Sequence, residues 1–83
     1  MPDFSRCVVT WSEHGLGRAY RRGVSTDDAE AIVHSSAEQE PARHGRWLVW
    51  GFVTGRRTKI VVRPMKGDVC LIISVIRTAM PCR

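Results

Sequence analysis

Residues 46–77 read RWLVWGFVTGRRTKIVVRPMKGDVCLIISVIR, three runs of β-branched and aromatic residues separated by turn formers. The first run, 46–54, is apolar on both pleat faces apart from its ends, which predicts a central strand covered on both sides. Gly55-Arg56-Arg57 turns the chain into residues 58–63, TKIVVR. Alternation there sets Lys59, Val61 and Arg63 on one face and Thr58, Ile60 and Val62 on the other. Residues 64–68 supply a hairpin loop, and 69–77, VCLIISVIR, form the last strand. Such a meander needs a second layer over its apolar surface.

The preceding residues supply that layer. Ser25 is a helix N-cap, followed by Asp27, Asp28 and Glu30 in the first turn, where the macrodipole favours negative charge. Ala29, Ile32 and Val33 form the inward face, and the helix fades at His34-Ser35-Ser36. Residues 37–45, AEQEPARHG, read as a loop with Pro41 and Gly45 as breakers. Further upstream, HGLGRAYRRGVS (14–25) predicts a first helix capped by Ser12 and ended by Gly23. Leu16, Ala19 and Tyr20 give it an apolar stripe, while His14, Arg18 and Arg22 stack four apart on another face. Like charges so placed repel by about a few tenths of a kcal/mol per pair, a cost that either a bound anion offsets or a solvated face tolerates. Residues 6–11, RCVVTW, read as a short first strand. The order β-α-α-β-β-β predicts an α+β domain spanning 1–83, two helices packed on one antiparallel sheet.

The 83 residues carry 13 Lys/Arg against 8 Asp/Glu, net +5, unevenly spread. Residues 1–24 hold +2, residues 25–40 hold −5, and residues 41–83 hold +8. Eleven of the cations are arginine, whose planar fork matches phosphate and carboxylate. Nucleic acid or an acidic protein is the partner class this balance indicates. Cys7, Cys70 and Cys82 show no CxxC spacing, so no disulfide framework is expected. His14, His34 and His44 have no metal-ligand spacing with one another or with cysteine. No run approaches the roughly 20 apolar residues of a membrane span. The start, MPDFSRCVVTW, has no signal-peptide pattern, so a cytoplasmic protein is expected.

A short strand, two helices and a three-strand meander in a basic chain resemble the RelE/ParE-like toxins of bacterial toxin–antitoxin pairs. Within them the chain is most similar to the BrnT-like branch and related small families of unassigned function. The likeness is carried by His14, Arg18 and Arg22-Gly23-Val24-Ser25, by the helix entry TDDAEAIV and by the ending ISVIRTA (73–79), and covers about residues 8–79. It implies a toxin acting as a metal-independent ribonuclease that cleaves mRNA and blocks translation, working on RNA free or on the ribosome. It also implies an acidic, DNA-binding cognate antitoxin, with no cofactor, metal or membrane involved. By the same resemblance His14, Arg18, Arg22 and Arg77 match motif positions, and Arg63 fits a basic position at the end of the preceding strand.

Metal-free RNA cleavage needs the 2′-OH deprotonated, the phosphorane charge stabilised and the 5′-oxygen protonated. Arginines aimed at phosphate serve the second need, and a histidine serves the others. His14, Arg18, Arg22, Arg63 and Arg77 are therefore the candidate catalytic set, and they must converge on one phosphate. Arg21, Arg56, Arg57, Lys59 and Lys66 are candidate RNA-binding residues. Two other readings stand beside the ribonuclease. One is a non-catalytic module that binds nucleic acid, the ribosome or a partner enzyme. The other is a domain that engages only an acidic protein. Trp11, Trp47 and Trp50 are expected in the core rather than on a base-stacking surface.

Overall fold

The computed structural model describes residues 3–35 and 38–77. Cys82 and the Thr78-Ala79 of the closing motif lie outside them. The β-branched runs pair into a five-stranded sheet made of β1 (Val8–Trp11), β2 (Glu38–Pro41), β3 (Trp47–Val53), β4 (Arg56–Pro64) and β5 (Val69–Arg77). Helices α1 (Glu13–Arg22) and α2 (Thr26–His34) sit between β1 and β2 in the chain. The strand order is β1-β5-β4-β3-β2, with β1 parallel to β5 and every other pair antiparallel.

The α+β class with two helices on a sheet is as expected, and the sheet corrects the expectation in two ways. It is mixed rather than antiparallel: the two helices carry the chain from β1 to β2 at the far edge, and the meander β2-β3-β4-β5 then brings it back alongside β1 in the same direction. It also has an extra strand where residues 37–45 read as a loop. Glu38–Pro41 pairs with β3 despite its polar sequence, and a 3₁₀ turn, Arg43–Gly45, follows it. Edge strands with charge and proline are a common device against sheet-to-sheet aggregation, so polarity there hides a strand.

Both helices lie on one face of the sheet. Val49, Val53, Thr58, Ile60, Val62, Cys70, Ile72 and Val75 are buried beneath Ala19, Val24, Ala29, Ile32 and Val33. The helices approach closely where side chains vanish. A Cβ on Gly15 would stand 2.5 Å from the Ile72 carbonyl oxygen, and one on Gly51 would stand 2.7 Å from Ile32 Cγ1. The Ser12 hydroxyl accepts from Gly15 N–H and donates to the Ile72 carbonyl, so one residue caps α1 and fastens it to β5. Ser25 caps α2 through Asp28 N–H, and Gly23 ends α1 in the left-handed conformation at φ 70°.

Among the described residues no helix lies on the other sheet face, so they cover β3 once, not twice. Leu48, Trp50 and Phe52 point into that open face, along with Lys59, Val61 and Arg63 from β4. The α1 stripe is also corrected. Of its three members only Ala19 is buried, while Leu16 and Tyr20 are exposed, Tyr20 by 88%. Among the described residues no helix is long and apolar enough to cross a membrane.

Candidate nucleic-acid interface

Two basic surfaces result, on opposite sides of the sheet. The first belongs to α1. His14 and Arg22 are exposed, Arg18 is half-buried, and the Arg18 Nε–H donates to His14 Nε2 at 3.2 Å. Acceptance at Nε2 requires a neutral imidazole carrying its proton on Nδ1. Arg21 projects from the same helix, exposed.

The second surface is the open sheet face. The β3–β4 connection is a two-residue turn at Thr54 and Gly55, both with positive φ (48° and 80°), which is the backbone of a type I′ hairpin. Arg56 and Arg57 therefore begin β4 instead of forming the turn, and alternation sends them to opposite faces. Arg57 reaches the open face and lies over the Trp50 ring, 4.3 Å from its centroid. Its Nη2 also donates to Glu38 Oε2 at 2.6 Å. Lys59, paired in register with Trp50, places its ammonium 5.4 Å from the same ring. Phe52 stands beside them, 68% exposed. Arg63 lies further along β4 on the same face, and Lys66 is exposed in the β4–β5 loop.

Arg77 belongs to neither surface. Its Nη1 donates to the Arg22 carbonyl at 3.0 Å, and its Nη2 donates to the Val53 carbonyl at 3.0 Å and to Thr54 Oγ1. One guanidinium thus ties the end of α1 to the end of β3. The reason is a β-bulge. Val61 faces Ser74 but Val62 faces Ile72, leaving Ile73 unmatched. Without that extra residue, alternation from Cys70 and Ile72 would send Arg77 to the open face. With it, Val75 and Arg77 turn toward the helices.

The sequence-predicted catalytic set is therefore not assembled. His14, Arg18 and Arg22 share the helix side, Arg63 lies across the sheet, and Arg77 is engaged with backbone carbonyls at the end of α1. The fold does stack Arg57 and Lys59 on Trp50, beside Phe52, and sets Arg63 on the same face. Of the tryptophans, Trp11 and Trp47 pack against the core, and Trp11 Nε1 donates to Glu30 at 3.0 Å. Trp50 is the one on the open face. Sequence reasoning missed Glu38 and Phe52 as site residues. The phase of β3 would have found Phe52 had Gly51 been recognised as the close-approach position under α2.

Cys7 and Cys70 are free, buried thiols on the helix side. Burial, then a hydrogen bond with Cys7, pushes the Cys70 thiol up to about 12. Among the described residues no group of three or more His, Cys, Asp or Glu side chains is arranged to hold a metal ion. No family model matches the chain, and no curated protein or solved structure matches it.

Proposed function

We propose that this protein is an RNA-binding module whose working surface is the open face of the sheet. The observation that carries the reading is the stack of Arg57 and Lys59 on Trp50, beside the exposed Phe52 and with Arg63 on the same face. Single-stranded nucleic acid is held by just these two components. Cations track the phosphates, and aromatic rings stack the bases at about 1–3 kcal/mol each. Stacking on Trp50 also holds the two cations in extended positions before any ligand arrives, which reduces the ordering cost of binding. This role places the protein in the cytoplasm, with RNA, free or on the ribosome, as its ligand.

The test is fluorescence anisotropy of a labelled single-stranded RNA titrated with the purified chain. Binding that weakens at least tenfold in the Lys59→Ala/Arg63→Ala double variant, with the fold intact by circular dichroism, supports the reading. Equal affinity in the variant sinks it.

A second reading is favoured by the exposed His14–Arg18 hydrogen bond. It is the RelE- or BrnT-like one, a metal-independent ribonuclease toxin neutralised by an acidic antitoxin. With RNA lying along α1, Arg18 would leave His14 for the phosphate beside Arg22, and the Nε2 lone pair so released would serve as base. Here the discriminating measurement is strand scission in the presence of EDTA, abolished by His14→Ala and unaffected by Lys59→Ala.

A further inference from the structure

A cavity of about 230 Å³ opens at the β2 edge of the open face, lined by Ser35, Glu38, Trp50, Gly51, Phe52 and Arg57. It has three chemical components. Phe52 presents a π-surface. Arg57, held over Trp50, supplies a cation. Glu38 supplies a carboxylate whose Oε2 is gripped by Arg57 at 2.6 Å.

A carboxylate is an odd group to find on a surface that attracts phosphate. Two functions resolve the oddity. Its pairing with Arg57 cancels the repulsion that a lone anion would exert on a polyanion. It also remains an acceptor, because an ionised carboxylate offers about four lone-pair sites and the Arg57 Nη2–H contact at Oε2 takes one of them. An acceptor pair beside an aromatic face reads a base edge that carries two adjacent donors. Guanine, with N1–H and N2–H, is the standard base that has one. The matching edge of adenine presents a donor next to an acceptor, as does that of cytosine, and uracil's N3–H stands alone between two carbonyls.

We propose that the cavity between Trp50 and Phe52 is a guanine-selective base pocket, read by the Glu38 carboxylate. The inference rests on the RNA-binding reading and gives it a sequence preference. The base stacks on Phe52, Glu38 accepts from N1–H and N2–H, and Lys59 and Arg63 hold the flanking phosphates along β4. Register places these groups in order, since Glu38 pairs with Trp50 and Trp50 pairs with Lys59 across three adjacent strands.

The experiment uses the full chain and four labelled RNA heptamers, UUUGUUU, UUUAUUU, UUUIUUU and UUUUUUU, by anisotropy. A single central purine avoids guanine self-association. The guanine heptamer is expected to bind about tenfold more tightly than the adenine or all-uridine ones, with inosine, which lacks the N2 amino group, in between. Glu38→Gln, whose amide offers one acceptor and one donor, should bring the guanine and adenine heptamers within about twofold of each other. It should leave the all-uridine affinity in place. Phe52→Ala should weaken all four. Equal binding of the four heptamers by the native chain overturns the pocket and leaves the RNA-binding reading standing. No binding of any heptamer overturns both.

Discussion

Arg77 shows how far a residue's role depends on its neighbours' geometry. Its place at the end of the last strand makes it a candidate for phosphate contact in the sequence, yet the guanidinium is engaged by the Arg22 and Val53 carbonyls and Thr54 Oγ1. A cation at the C-terminal end of α1 is also favoured by the helix dipole. Arg77→Ala is expected to lower unfolding free energy by about 2–3 kcal/mol in urea titrations while leaving RNA affinity near that of the native chain. Cys70 offers a second residue-level test. Burial and the Cys7 hydrogen bond move its thiol from an ordinary 9.0 to about 12, so the folded state holds the proton more tightly than the unfolded chain. The stability this provides is complete below about pH 9 and is lost as the pH climbs toward 12. Urea midpoints of Cys70→Ala should therefore fall less steeply over that alkaline range than those of the native chain. Neither role was legible from composition. The bulge at Ile73 that aims Arg77, and the contact of Cys7, just before β1, with Cys70 of β5, arise only once strands pair.

At the level of the element, the caps could be read directly. Ser12, Ser25 and Gly23 each do locally what their side chains, or the lack of one, dictate, so both helices were visible. Three features were not. Residues 38–41 are too polar to announce a strand, and β3, apolar on both faces, does not reveal which face the helices cover. Helix α1 buries little more than Gly15 and Ala19, so its Leu16–Tyr20 stripe misled. Gly15, a poor helix former by propensity, is the docking point of α1 on β5. Gly15→Ala gains helix propensity but drives a methyl to within 2.5 Å of the Ile72 carbonyl oxygen, and backbone cannot swing away as a flexible side chain can. The expected net result is a loss of about 1–3 kcal/mol, measured by thermal or urea unfolding. The same change at Gly17, where an added Cβ meets nothing within 4 Å, should stabilise by about 0.4–1 kcal/mol.

Across the whole molecule, the sheet separates two cationic surfaces that one phosphodiester cannot bridge. The helix side carries His14, Arg18, Arg21 and Arg22, and the open side carries Arg57, Lys59 and Arg63. The +8 of residues 41–83 hinted at a basic C-terminal half, but side-chain direction decides what a ligand meets. If RNA engages the three open-face cations, log Kd should change with log salt at a slope of magnitude about 2, from roughly 0.7 per single-strand phosphate contacted. The Lys59→Ala/Arg63→Ala variant should reduce that slope, and an Arg18→Ala/Arg22→Ala variant should leave it alone. The opposite pattern would move the ligand to α1.

The parallel pairing of β1 with β5 carries one more consequence, for how the chain comes off the ribosome. Val8–Trp11 is made early, but its hydrogen-bonding partner, which is also the platform for α1, is Val69–Arg77. Until that stretch emerges, the first strand and helix of a nascent chain lack the strand they lie against, while β2, β3 and β4 can pair through local contacts. Completion of the fold thus waits until Val69–Arg77 has been made, and a chain cut short before Val69 would be a substrate for chaperones and proteases.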